Sequence, residues 1–334
     1  MEKRDLVSIV TPCYNTGAYI HRLLDSVLGQ TYPNIEMFVI DDGSNDNSGD
    51  VVESYIPKFE SKGYNLTLIR QQNSGQSVAV KKGMKYINGK YFVWPDSDDF
   101  YASSEAIEIM VNKLEELGEE YAMVRTQENL LEDETFKIIG CNGKDASVEV
   151  ERRVLFEDCL YCKNNFFFCP GAYMVEFQKL GNSTSLDIYT DKNAGQNWQL
   201  LLPLLYKYKC YTIKEPLYNV VVRLASHSRG QYYGYEKTLT KITSYEQTIL
   251  ETLKKIYGMS EIERNKYATE IMKKYCKERV LQSFIYHKKS DFDTYYEKAL
   301  NLGCIGSKER LCKAFFYTPI IVKGMFFIKN RILR

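Results

Sequence analysis

Three carboxylates fall within four positions at Asp96-Ser97-Asp98-Asp99, directly after the apolar run Tyr91-Phe92-Val93-Trp94. Like charges this close repel, so a cation is their natural counterweight. With no His or Cys nearby, carboxylate oxygens select a hard ion, Mn2+ or Mg2+. Mg2+ commonly takes one or two carboxylates and completes its shell with substrate phosphates. A nucleotide diphosphate would supply those oxygens. In a bare loop such a triplet is usually solvated; its place at the end of a strand reverses that reading.

Two further polar clusters interrupt apolar runs: residues 11–15 (Thr11-Pro12-Cys13-Tyr14-Asn15) after Val7-Ser8-Ile9-Val10, and residues 41–46 (Asp41-Asp42-Gly43-Ser44-Asn45-Asp46) after residues 35–40. The β-branched runs at 7–10, 35–40, 66–69 and 91–94 read as strands. The first should stop at Pro12, which cannot donate to a ladder. Between them, Ile20, Leu23, Leu24, Val27 and Leu28 recur at helical spacing, and residues 48–59 and 77–87 read as helices. Strands alternating with helices imply a parallel sheet covered on both faces, with ligands beyond the carboxyl ends of the strands. All three polar clusters fall there. Farther along, a helix through Ile107 and Leu117, a strand at 121–125 and a buried helix at 198–206 are expected, and from about residue 232 the chain turns helical. Ser260-x-x-Glu263 is a candidate capping box.

In order, Val7 to Asn15, Gln30-Thr31-Tyr32, Val39-Ile40-Asp41-Asp42-Gly43-Ser44 and Asp96-Ser97-Asp98-Asp99 resemble the inverting family 2 glycosyltransferases, strongly over residues 5–103 and weakly to about 228. The resemblance implies an α/β GT-A type fold, a Rossmann-like mostly parallel sheet with helices on both faces, plus a helical C-terminal extension. It divides the chain into a glycosyltransferase domain at 1–230, with a nucleotide-sugar half (1–102) and an acceptor half (103–230), and an extension at 231–334. It implies that Thr11, Pro12, Tyr14, Asn73 and Gln76 line the nucleotide pocket, Asp42 contacts the base, Asp96 and Ser97 lie near the ribose, and Asp98 with Asp99 holds the metal. The donor expected is a UDP-sugar, and the acceptor a glycan or lipid-linked glycan in surface polysaccharide synthesis.

Two departures stand out. The family's Ala-Arg-Asn is Ala79-Val80-Lys81 here, so no arginine role carries over. Its Gly-Glu-Asp-like motif, whose aspartate is the general base, is Gly195-Gln196-Asn197. An amide cannot take a proton as a carboxylate does. Asp191 is the first candidate base and Asp187 the second; an acceptor that needs little base assistance and a non-catalytic nucleotide-sugar-binding protein are the alternatives. Trp198 would stack on an acceptor sugar or fill the core. By the same resemblance, Arg223 and His227 would contact the diphosphate or assist the metal.

The rest of the composition narrows the classes. A net charge of +1 over 334 residues gives no field for nucleic acid. The lack of a Gly-x-Gly-x-x-Gly after the first strand argues against a dehydrogenase, and Thr11 to Asn15 is not the Gly-rich basic loop of a nucleotidyltransferase. Nine cysteines behind a charged start with no apolar leader point to reduced thiols and a cytoplasmic compartment. Cys159-x-x-Cys162 has no matching second pair of ligands, so zinc is not expected. The tail 308–334 mixes seven basic residues with phenylalanines and isoleucines. That pattern suits either a peripheral contact at the inner face of the cell membrane or packing on the protein itself.

Overall fold

The computed structural model describes residues 4–223 and 234–317. The chain forms two compact units: residues 1–223 with 251–258, and residues 224–250 with 259–334.

The first unit is built on a nine-stranded sheet. Its first half is parallel and follows the expected alternation: β1 (Val7–Cys13), α1 (Ile20–Leu28), β2 (Ile35–Asp41), α2 (Ser48–Lys62), β3 (Asn65–Arg70), α3 (Gln76–Met84) and β4 (Tyr91–Val93). Every residue of β1, β2 and β4 is buried, as strands covered on both faces must be. Helix α1 buries Ile20, Leu23, Leu24 and Val27, the stripe read from its spacing.

Strand β1 does not stop at Pro12. It pairs with β2 as far as Cys13↔Asp41, but with β4 only over Val7 to Ile9. Beyond Ile9 one side of β1 has no partner in β4, so a missing N–H there costs little. The polar loop therefore starts at Tyr14.

The second half of the sheet is mixed. It comprises β5 (Phe100–Tyr101), β6 (Tyr121–Glu132), β7 (Ile138–Asn142), β8 (Tyr173–Glu176) and β9 (Lys209–Val222). The order is β3-β2-β1-β4-β8-β6-β9-β5, with β7 on β6; β8 is antiparallel to both β4 and β6, and β9 runs parallel to β6. Helices α4 (Ala106–Glu116), α5 (Arg152–Tyr161), α6 (Phe177–Gly181) and α7 (Asn197–Lys207) complete this half. Strand β6 runs well past the expected Arg125, because its polar stretch Thr126 to Asn129 pairs with β9, and Glu128 and Asn129 pair with β7 on the other side.

The second unit is helical. Helix α8 (Tyr235–Lys255) begins in it and ends in the first unit; α9 (Glu261–Ile285), α10 (Lys289–Asn301) and α11 (Ser307–Ala314) follow. Ser260 caps α9, its Oγ accepting from the Glu263 N–H at 3.2 Å, as its spacing suggested. Val280, Phe284, Phe292 and Phe316 form the centre of this unit's core. Among the described residues, no helix is long and apolar enough to cross a membrane. Most of the basic tail, from residue 318, lies outside them.

Candidate active site

The loops after β1 and β2 are laced together at the carboxyl edge of the sheet. The Asn15 N–H donates to Ser44 Oγ (3.0 Å), the Asn45 N–H to Asn15 Oδ1 (2.8 Å), the Thr16 N–H to Ser48 Oγ (2.9 Å) and the Gly17 N–H to Asp46 Oδ2 (3.0 Å). Asx and Ser side chains bond neighbouring backbone readily, which explains why both loops carry them. Tyr14 is left 45% exposed beside this lacing, a face open to a planar ligand. Thr11 is fully buried, its hydroxyl without a partner among the described residues.

Asp42 organises the loop after β3. Its buried carboxylate accepts from Gln71 Nε2 (2.7 Å), the Ser74 N–H (2.9 Å) and the Gly75 N–H (2.8 Å). Three bonds leave part of its accepting capacity for a ligand. The loop comes so close that a Cβ on Gly43 would lie 2.8 Å from the Asn73 nitrogen. Asn73 and Gln76 are exposed on it, and Gln76 Nε2 donates to Asp96 Oδ1 at 2.8 Å. The clusters after β2, β3 and β4 therefore meet.

The acidic turn sorts its three carboxylates. Asp96, half-buried, is pushed up to about 6 by desolvation, partly countered by Gln76 and reinforced by the charge of Glu128. Ser97 is buried. Asp98 pairs with Arg223, which follows β9; the Arg223 guanidinium lies 4.0 Å from the Tyr19 ring centroid. Asp99 is buried, and its Oδ1 accepts from the Val221 N–H at 2.8 Å. Of the pair expected to hold metal, Asp98 is the one paired with a cationic side chain, whereas Asp99 ties the end of β9 to the turn. Among the described residues no group of three or more His, Cys, Asp or Glu side chains could hold an ion by itself. The donor set fits a hard cation whose shell a diphosphate completes.

The acceptor half differs from its sequence reading in two places. Asn197 opens α7, and its Oδ1 accepts from the indole N–H of fully buried Trp94 at 3.1 Å. The amide thus supports the strand that delivers the acidic turn. Trp198 is 7% exposed, donates to the Cys159 carbonyl (3.1 Å) and meets Phe168 edge-on at 5.0 Å. It is core, and offers no face for stacking a sugar. Asp191 is exposed, its Oδ1 accepting from the Asn193 N–H at 3.0 Å. Its segment packs over the donor loop: the Asp191 carbonyl accepts from Ser77 Oγ (3.4 Å), and a Cβ on Gly75 would lie 2.7 Å from the Lys192 carbonyl oxygen. Asp187 is paired with Lys81 and Lys255, which hold its carboxyl below the usual range. His227 lies outside the described residues.

Sequence reasoning missed Tyr19, Gln71 and Glu128. Glu128 is buried in β6; its Oε1 accepts from Asn142, while Oε2 has no partner among the described residues. Burial pushes its carboxyl up. Glu128 stands in the polar stretch Thr126 to Asn129, which reads locally as loop, so the sequence carried no signal for it.

The sequence profile of the family described as "Glycosyl transferase family 2" matches residues 8–174, half of the chain. The chain belongs to that family. Similar proteins include the "Glycosyltransferase GlyA" of Streptococcus pneumoniae, 33% identical over 36% of this chain and 16% of its own. The "Uncharacterized glycosyltransferase RP339" of Rickettsia prowazekii is 34% identical over 40% of this chain and 39% of its own. The match thus spans well under half the length of these curated relatives. The fold is similar to that of S. aureus TarS 1-349, solved in complex with UDP-GlcNAc (TM-score 0.65, 16% identity, 94% of this chain and 88% of that one). It is also similar to the Pyrobaculum calidifontis mannosyltransferase PcManGT, solved with GDP-Man and Mn2+ (TM-score 0.50, 13% identity, 96% and 87%). This family 2 chain shares with them the GT-A type α/β sheet on which the site stands.

Proposed function

We propose that this family 2 protein is a metal-dependent inverting glycosyltransferase that moves a sugar from a UDP-sugar to a glycan or lipid-linked acceptor in surface polysaccharide synthesis. The observation that carries the reading is the junction of Asp42, Gln76, Asp96 and Asp98 at one edge of the sheet. The UDP-GlcNAc bound by the TarS neighbour supports the choice of base. The Mn2+ of the mannosyltransferase neighbour supports the cation.

In this reading residues 1–102 bind the donor, residues 103–230 the acceptor, and residues 231–334 form the extension. Tyr14 stacks on the base, Asp42 accepts from its N–H, and Asp96 accepts from a ribose hydroxyl. Asp98 holds a Mn2+ or Mg2+ ion that, when bound, offsets charge developing on the departing diphosphate. The acceptor hydroxyl attacks the anomeric carbon opposite the diphosphate. Asp191, exposed on the segment over the donor loop, takes the hydroxyl proton. The bond from the anomeric carbon to the diphosphate oxygen breaks with its electron pair leaving on the diphosphate, and Arg223 sits where that charge appears. Asn197, bonded to Trp94, accepts no proton.

Incubation with a panel of nucleotide sugars and Mn2+ or Mg2+ tests the proposal. Hydrolysis or transfer is expected with a UDP-sugar and lost in Asp98→Ala; full activity of that variant rejects the assignment. The amide at position 197 also favours a second reading, a nucleotide-sugar-binding protein without turnover. Donor binding by calorimetry with no transfer to any lipid-linked glycan would select it. In the transferase reading the enzyme acts at the cytoplasmic face of the membrane, with the basic tail as its contact; sedimentation with anionic vesicles, compared with a chain lacking residues 318–334, checks this.

A further inference from the structure

We propose that Arg223 is the resident counter-cation of Asp98, held there by Tyr19, and that a divalent cation binds by displacing it. The inference rests on the reading of Asp98 as the metal ligand and adds how that ligand is kept ready. Adjacent carboxylates grip the end of β9 in two ways: Asp99 through the Val221 backbone N–H at 2.8 Å, and Asp98 through the Arg223 side chain. Both members of the ion pair are largely buried, with side chains 13% and 24% exposed. An unpaired carboxylate at that depth would be costly, and guanidinium supplies a charge that does not titrate away.

The guanidinium is placed from below as well. It lies 4.0 Å from the Tyr19 ring centroid, within cation–π range. Tyr19 is itself fixed, its N–H donating to the Thr16 carbonyl at 2.8 Å while the Thr16 N–H is bound to Ser48. The Arg223 Nε is buried and has no hydrogen-bond partner among the described residues. The guanidinium therefore makes one good contact set and leaves a donor unspent, as a group with a second binding position would.

The Arg223 guanidinium bonds Asp98 Oδ2, and a divalent cation brought to that carboxylate meets the repulsion of the positive charge already there. In the proposed exchange, a metal ion arriving alone takes the Oδ2 position and leaves Arg223 without an anion. A metal ion arriving with a diphosphate gives the freed guanidinium phosphate oxygens to bind, and its Nε a partner. Metal and nucleoside diphosphate therefore bind cooperatively, and by linkage each strengthens the other equally.

Titration of Mn2+, read by electron paramagnetic resonance of the free ion, tests this with and without UDP. Arg223→Gln is expected to bind Mn2+ alone about tenfold more tightly than the wild type, and to lose about tenfold of the enhancement that UDP gives, within the usual range of coupling. Tyr19→Leu, which leaves the ion pair intact but removes its seat, is expected to shift both in the same directions by less. Arg223→Lys is expected to bind Mn2+ alone like the wild type. Unchanged or weaker Mn2+ binding by both Arg223→Gln and Tyr19→Leu in the absence of UDP overturns the proposal. Mn2+ binding that survives Asp98→Asn instead rejects the metal reading of Asp98 on which it rests.

Discussion

The role given to Asn197 can be tested through stability and turnover together. Trp94 is fully buried and its indole N–H has the Asn197 Oδ1 as acceptor at 3.1 Å. Asn197→Ala removes that acceptor and leaves the donor unsatisfied in the core, at a cost of about 1–3 kcal/mol. Against a total stability of roughly 5–15 kcal/mol this is a large fraction, and the melting temperature should fall by about 2–4 °C per kcal/mol in a unit of this size. Asn197→Asp keeps an acceptor for Trp94 and adds a negative charge to the first turn of α7, worth about 0.3–1 kcal/mol near a helix N-terminus. It should melt at or above the wild-type temperature at neutral pH and transfer sugar at close to the wild-type rate. Asp191→Asn should melt normally yet lose about 10²–10⁴ in rate, the usual worth of a general base. The assays are differential scanning calorimetry and steady-state transfer on the same preparations. A wild-type melting temperature for Asn197→Ala would refute the structural role. A gain of about 10² in turnover for Asn197→Asp would place the base at position 197 and remove it from Asp191.

Three further outcomes are expected. Gly75 has φ +99° and ψ 160°, a region essentially reserved for glycine, and its Cβ would lie 2.7 Å from the Lys192 carbonyl oxygen; Gly75→Ala should cost about 1–3 kcal/mol in urea unfolding and raise the donor KM as the 191–193 segment is pushed off the loop. Asp42 Oδ1 accepts from Gln71 and Ser74 and Oδ2 from Gly75, so the amide nitrogen of Asp42→Asn faces at least one of these donors; the variant should weaken UDP binding by calorimetry while destabilising the protein by about 1–3 kcal/mol. The Asp96 carboxyl is raised from 3.8 to about 6 in the folded state, so between those values the native state holds more protons than the unfolded one and stability falls as pH rises through that window. In EDTA and without donor, Asp96→Asn should gain stability relative to the wild type between pH 4 and pH 7; a difference flat with pH rejects the shift.

What sequence made legible follows from the range of the forces involved. The first four strands and three helices announce themselves because burial on a sheet or on one helix face leaves a local period, as in the Ile20, Leu23, Leu24 and Val27 stripe. The polar loops were legible because strand ends in an open α/β sheet are where chains place ligands. Beyond Arg125 the period fails: Glu128 and Asn129 look like loop residues, yet Asn142 and Asn219 bond to them across β7 and β9. Those partners lie 14 and 90 positions away, so no window of sequence contains the reason for the strand.

The acidic turn shows the same limit at the centre of the site. By type and spacing Asp96, Asp98 and Asp99 are three equivalent oxygen donors. Their roles diverge only through tertiary partners: Gln76 for Asp96, Arg223 for Asp98, and the Val221 N–H for Asp99. Two of those partners stand more than a hundred positions away, at separations of 122 and 125. Both come from the end of β9, so the strand that closes the acceptor half also decides which carboxylate of the donor half stays available to a cation. A change confined to β9, such as a proline at Val221 that deletes the N–H held by Asp99, should therefore alter Mn2+ binding at Asp98 without touching either aspartate. Such coupling follows from the sheet order, which sets β9 against β5 immediately after the turn.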